Sequence, residues 1–227
     1  MKEISGILIV DKAKGMTSHD VVHFVRKNFS IKKVGHAGTL DPSATGVLVL
    51  LLGKCTKLSA TFLNEEKEYT ATMKLGERTD SGDSEGEVIA KKEVNVDGKE
   101  IKRVIELFVG EIEQIPPMVS AKKINGQRLY KLARKGLEIE RKPSKIRIKE
   151  IEITKINIPF VDIRVVCSKG TYIRQLVDDV GEDLGCGAHL VDLRRTRSGK
   201  FSLSDSVPFL RLGKMREKDL NESIVRI

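Results

Sequence analysis

The chain of 227 residues carries 41 lysines and arginines against 32 acidic residues, a formal charge of +9, and 40% of it is hydrophobic. That suits one sizeable folded core, or one core with an insertion, and no stretch approaches the ~20 apolar residues of a membrane helix. Cys55, Cys167 and Cys186 form no Cys-x-x-Cys pair, which argues against a disulfide framework or zinc knuckle and for reduced thiols in a cytoplasm, and the absence of Trp beside only ten Phe and Tyr argues against broad base-stacking platforms.

The N-terminus enters an apolar strand, Ile7-Leu8-Ile9-Val10, without the layout of a signal peptide. Thr17-Ser18-His19-Asp20 has the form of a capping box, with a helix to about Asn28 burying Val21, Val22, Val25 and Phe24. His19 and His23 share one helical face, but the Glu of the zinc-protease pattern is absent and Asp20 is better used as a cap. Residues 35–46 are too rich in Gly, Thr and Pro for helix or strand, and they hold Asp41 between His36 and Pro42 against the buried run Val47–Leu52. A lone carboxylate so placed is either a nucleophile or general base, or the satisfied side chain of an Asp-Pro turn.

Tyr69 to Leu75 alternates as a half-buried strand, which leaves Tyr69 either a packing residue or a phenol that stacks on a base or takes a proton. Residues 78–87 form an acidic, turn-rich loop that resembles the start of a calcium site. It fails as one, with Gly82 at a ligand position and Lys91 at the twelfth. A helix is predicted over 101–109, a break at Ile115-Pro116-Pro117, strands over 146–158 and 160–166, and an amphipathic helix over 172–184. Residues 120–150 hold eleven basic residues against three acidic, a local excess of +8 that calls for a polyanionic partner: RNA, DNA or an anionic membrane.

Arg174 falls in the first turn of its helix, where a cation opposes the helix dipole and wants an anion; Asp41 is one candidate and a surface salt bridge the alternative. Gly185-Cys186-Gly187 lacks the rest of a dinucleotide fingerprint. Leu193 to Gly199 is taken as a compact basic turn, and Phe201 to the end as a short tail. The pattern predicts an α+β fold with mostly antiparallel hairpins.

Gly35-His36-Ala37-Gly38-Thr39-Leu40-Asp41-Pro42 resembles the catalytic-loop signature of the TruB family of tRNA pseudouridine synthases. The other segments follow in that family's order: Asp11-Lys12…Gly15-Met16-Thr17-Ser18, Tyr69 to Gly76, Pro116-Pro117…Ser120-Ala121-Lys122-Lys123, Gly170-Thr171-Tyr172-Ile173-Arg174 and Leu193-Arg194-Arg195-Thr196. The resemblance implies a pseudouridine-synthase fold, a central mixed and mostly antiparallel sheet flanked by helices. It places the catalytic domain over 1–210, an RNA-clamping insertion over about 118–146, and a tail over 211–227 where family members continue into a PUA-like module.

The implied reaction is isomerisation of uridine 55 in the tRNA T-loop, without metal or organic cofactor, by a cytoplasmic monomer that needs no protein partner. Asp41 is the implied catalytic carboxylate, by attack on C1′ or by removal of a ribose proton to a glycal, with Tyr69 and Arg174 as catalytic partners. His36, Leu193, Lys12 and Tyr172 are implied to bind the substrate, and Lys122, Lys123, Arg128 and Arg134 the RNA backbone. The alternative is a tRNA-binding or tRNA-folding module whose catalysis is secondary or lost; a guide-RNA-directed enzyme acting within a complex is a further variant. Ala13 stands where the family usually has Pro, and Val119 where it often has Tyr. The missing module implies weaker tRNA binding with intact chemistry.

Overall fold

The computed structural model describes residues 4–120, 122–124, 126–133 and 136–226, with Lys123, Arg128 and Tyr130 described by backbone alone. In chain order the elements are β1 (Gly6–Lys12), α1 (Ser18–Asn28), β2 (Val34–Ala37), β3 (Thr45–Leu52), α2 (Ser59–Leu63), β4 (Lys67–Leu75), β5 (Glu77–Thr79), β6 (Val88–Lys91), α3 (Gly98–Glu106) and β7 (Gly110–Gln114). They continue with β8 (Lys123–Ile124), β9 (Gln127–Arg128), α4 (Leu129–Ala133), β10 (Ser144–Asn157), β11 (Phe160–Cys167), α5 (Ile173–Asp183), β12 (Ala188–Ser198), β13 (Phe201–Ser202), β14 (Val207–Pro208), α6 (Phe209–Leu212) and α7 (Glu217–Ser223). The α+β expectation holds. Among the described residues no helix is long and apolar enough to cross a membrane.

The chain divides into two units, Met1–Tyr69 with Leu193–Ile227, and Thr70–Asp192. The first is built around β3, whose run Val47–Leu52 is buried throughout, as expected of a strand covered on both faces. One flank of β3 takes β1 antiparallel, from Gly6 opposite Leu52 to Lys12 opposite Gly46. Its other flank takes β2 antiparallel at Val49–Leu52 and β12 parallel at Thr45 and Gly46. The outer side of β1 takes β14 in parallel, and Ile7 forms a bridge with Val225. Ile7, Ile9, Val47, Val49, Leu51 and Phe201 make one apolar cluster, with Phe62 and Leu203 packed against it. Helix α1 buries Val21, Val22 and Val25, while Phe24 is half-buried in an edge contact with Phe209.

In the second unit β4, β11, β10 and β7 follow one another across the sheet, and β5–β6 and β8–β9 form separate two-stranded ribbons. Helix α3 starts earlier than periodicity indicated, because Asp97 caps it by accepting from the amides of Lys99 and Glu100.

Two further expectations are corrected. Gly35 and His36 belong to strand β2, since pairing with β3 supplies the order that local composition did not. Residues 193–198 are not a turn but the end of β12, whose arginines are accommodated by the partners described below. The stretch after Phe201 contains β13, β14, α6 and α7, with Leu212, Met215, Leu220 and Ile224 buried.

Candidate active site

The loop at residues 38–44 hangs between β2 and β3, and its backbone is held from several directions within the first unit. Thr17 and Asp20 close the end of α1 as a capping box, Asp20 N donating to Thr17 Oγ1 (3.1 Å) and Thr17 N to Asp20 Oδ2 (2.8 Å). Hydrogen bonding by the Thr17 side chain, and then by its backbone N–H, holds the Asp20 carboxyl below its ordinary range. With the cap filled, the Ser18 hydroxyl turns to the loop. It accepts from Leu40 N at 2.8 Å and donates to Leu40 O at 3.1 Å. Gly15 N donates to Pro42 O at 2.9 Å, and Ala44 N to Asp41 O at 3.1 Å, closing the turn.

Lys12 is wholly buried, and its ammonium donates to the carbonyls of Met16 (2.7 Å), Ala13 (3.0 Å) and Pro42 (3.3 Å). Expected to bind substrate, it lies under the loop and grips its backbone. Asp41 is half-exposed at the turn. His36 is half-exposed on β2, opposite Leu50. Tyr69 is buried on β4 and Leu193 on β12. All five of these residues lie in the first unit.

The arginines of β12 have three different surroundings. Arg194 donates to Asp11 Oδ2 at 2.7 Å and Thr45 Oγ1 at 3.2 Å. Arg197 pairs with Glu66 Oε1 at 2.9 Å. Arg195 points inward, 1% exposed, its Nε donating to Val47 O at 2.7 Å and its Nη2 to Gly38 O at 3.1 Å.

Arg174 and Tyr172 lie in the second unit. Tyr172, the N-cap residue of α5, offers no side-chain cap. Gln114 at the end of β7 substitutes for one, accepting from Tyr172 N at 2.8 Å and donating to Tyr172 O at 3.1 Å. Arg174 follows, buried, with Nη1 on Ser81 O (2.9 Å), Nη2 on Val119 O (2.7 Å) and Nε 3.6 Å from Asp83 Oδ2. A cation in the first turn works against the helix dipole, and Asp83 offsets it. Asp83 is fixed in turn by Ser81 Oγ (2.6 Å) and Glu85 N (3.1 Å). Its loop is tied to β12 by Leu190 N to Gly82 O (3.0 Å) and Ser84 N to Leu190 O (2.9 Å).

A cavity of about 700 Å³ opens beside Arg174, with Ile89, Leu107 and Ile115 on its walls and Glu113, Asp179 and Glu182 among its carboxylates. Burial, and then the charges of Asp178, Glu182 and Asp183, push the Asp179 carboxyl above its ordinary range. Such a wall repels phosphate. In the insertion, Lys122 Nζ donates to Ser144 Oγ at 2.6 Å, and Arg141 pairs with Glu138 at 3.0 Å. Lys123 and Arg128 lie on the β8–β9 ribbon; Arg134 lies outside the described residues. Among the described residues no group of three or more His, Cys, Asp or Glu is placed to hold a metal.

Sequence reasoning assigned no such roles to Ser18, Gln114, Asp83 or Arg195. The only signal for Arg195 was the pair of glycines flanking the loop. Gly46 has φ +100°, and a Cβ there would lie 2.2 Å from Arg195 O.

A family model for the TruB family pseudouridylate synthase N-terminal domain matches residues 26–173, and one for the tRNA pseudouridylate synthase B C-terminal domain matches residues 174–226. The chain belongs to the TruB family. The tRNA pseudouridine synthase B of Protochlamydia amoebophila (strain UWE25) is 51% identical over 203 residues, covering 89% of this chain and 77% of the relative. That of Clostridium tetani (strain Massachusetts / E88) is 48% identical over 223 residues, 98% of this chain and 76% of the relative. Among solved structures, a Cbf5-Nop10-Gar1 complex superposes with a TM-score of 0.74 at 32% identity, covering 97% of this chain and 59% of that one. An H/ACA RNP bound to a substrate RNA containing 2′-deoxyuridine gives 0.69 at 30%, over 95% and 57%. The chain thus spans about three-quarters of these curated relatives and under three-fifths of the two solved chains.

Proposed function

We propose that the chain isomerises uridine to pseudouridine in tRNA, acting on uridine 55 of the T-arm, with Asp41 as the essential carboxylate. Family membership supports the reaction class. The observation that carries the assignment of Asp41 is its place on a turn whose backbone is held by Ser18, Lys12, Gly15 and Arg195. A rigid mount of this kind keeps a reacting group near attack geometry, where a small misplacement costs orders of magnitude in rate.

The uridine swings out of the T-loop, at a cost of a few kcal/mol of lost stacking, and His36 fills the space it leaves. Asp41 acts at the ribose, either by attacking C1′ or by drawing off a ribose proton to a glycal. The C1′–N1 bond breaks, the uracil turns, and a C1′–C5 bond forms; the C5 proton leaves and N1 takes one up. Tyr69 packs on the base and assists loss of the C5 proton, Leu193 walls the pocket, and Tyr172 binds the substrate. Arg174 is the third catalytic residue of this reading. Lys122, Lys123, Arg128 and Arg134 contact phosphates, which makes binding fall steeply with salt. The protein works as a monomer.

The test is tritium release from T-arm RNA labelled at uridine C5. The native chain is expected to release one equivalent, and none when the target position is cytidine. Asp41→Asn is expected to bind the RNA within about twofold of the native chain while its rate falls by more than about 10⁴-fold. No release from any tRNA would sink the proposal. The basic run at 120–150 favours one second reading, a tRNA-folding module. Asp41→Asn separates the two: refolding of misfolded tRNA as efficient as that by the native chain would give the second role weight.

A further inference from the structure

We propose that Arg195 is a positioning residue for Asp41, a guanidinium that clasps both ends of the loop at residues 38–47 and sets where the carboxylate stands. The proposal rests on the function proposed above. Gly38 opens the loop and Val47 lies in β3 just beyond its end, and among the described residues the carbonyls Arg195 engages are theirs: Val47 O at 2.7 Å and Gly38 O at 3.1 Å. Lys12 and Ser18 hold points within the loop; Arg195 adds a side-chain clasp across its two limbs, above the β2–β3 ladder that ends at Ala37 and Val49.

Energetics point the same way. Arg195 is 1% exposed, and among the described residues no carboxylate lies within ion-pair reach of it. Burying a charge without a counter-charge is costly, and an apolar side chain of similar size would serve packing as well or better. What an apolar residue cannot do is donate two hydrogen bonds in a fixed planar fork; a lysine supplies a single point charge and reaches one carbonyl.

The chain gives way to the arginine on both sides. Gly38 has φ +93°, with its missing Cβ 3.3 Å from Arg195 Nη1, and Gly46 stands opposite Arg195 in the parallel register, where a Cβ would strike the Arg195 backbone. A bulkier residue at either point would lift the guanidinium or the strand away from the loop.

The experiment compares the full chain with Arg195→Lys and Arg195→Gln by thermal unfolding, T-arm RNA affinity, single-turnover tritium release and amide exchange. Arg195→Lys is expected to stay folded and to bind RNA within about twofold. Its single-turnover rate should fall about 100-fold, with kcat affected and KM unchanged. Amides in the segment 38–46 should exchange at least ~10-fold faster while those of β1 and β3 do not change. Arg195→Gln should lose more in both readouts.

Unchanged exchange in the loop would overturn the proposal, as would a rate loss that merely follows lost RNA binding or lost folded protein. Unfolding of both variants would make Arg195 a core residue and overturn it too. If the native chain turns over no uridine, the proposed function fails, and the exchange comparison still decides whether Arg195 holds the loop.

Discussion

The two units treat their most deeply buried cations differently. In the first, Lys12, Lys67 and Arg195 are buried and spend their donors on backbone carbonyls: Lys12 on Ala13, Met16 and Pro42, Lys67 on Phe62, Leu63 and Glu65, Arg195 on Gly38 and Val47. In the second, the buried Arg174 adds a carboxylate, Asp83, to the carbonyls of Ser81 and Val119. A cation on carbonyls fixes the path of the chain, because each carbonyl belongs to a particular residue of a particular loop. A cation on a carboxylate mainly offsets charge. The first unit therefore uses buried charge to shape the Asp41 loop, whereas the second uses it to neutralise a helix end and an acidic wall.

The contrast can be broken by prying one strand from another. Gly46→Ala adds a Cβ 2.2 Å from Arg195 O at a φ of +100°, which strains the backbone and pushes β12 off β3. We expect a loss of roughly 3–5 kcal/mol by denaturant unfolding; a loss below about 1 kcal/mol would mean that the β12 contact with the loop is soft. Next in size, Asp83→Ala removes the carboxylate that faces the buried Arg174. If the second unit depends on charge neutralisation, stability falls by about 3 kcal/mol. Equal stability would show that Ser81 and Val119 suffice, and the two units would then be alike.

The smallest effect sharpens the comparison. The Asp179 carboxyl is pushed up by burial and by the carboxylates around it, so its folded value lies above its unfolded one and the ionised form is the one folding disfavours. Asp179→Asn is expected to raise the melting temperature by about 1–3 °C at pH 7. The gain is full above the folded value and disappears as pH falls below the ordinary 3.8. A gain that persisted into acid would trace to packing rather than charge.

Much of this was legible from sequence wherever a local rule decided the outcome. Thr17 and Asp20 announce the start of α1, Val47–Leu52 reads as a buried strand, and the alternation after Tyr69 is that of β4. What failed was set by distant partners. Gly35 and His36 look like loop because their order comes from the edge of β3. Leu193–Ser198 looks like a basic turn because three arginines in five residues seldom sit in a strand. The carbonyls that accept Arg195 are placed by the fold, and no spacing rule finds them. Asp83 appeared only as part of a failed calcium loop, since the guanidinium that gives it a role lies far along the chain.

The pairing around β1 has a consequence for synthesis. Its outer side is completed by Val207 and Pro208 and by the mutual hydrogen bonds of Ile7 and Val225, each 2.9 Å. Residues 70–192 are continuous in sequence, while the first unit is interrupted by them. A ribosome adding about 5–20 residues per second makes Asp41 roughly eight to thirty seconds before Arg195. A nascent chain thus carries the Asp41 loop well before the arginine whose donors reach Gly38 and Val47.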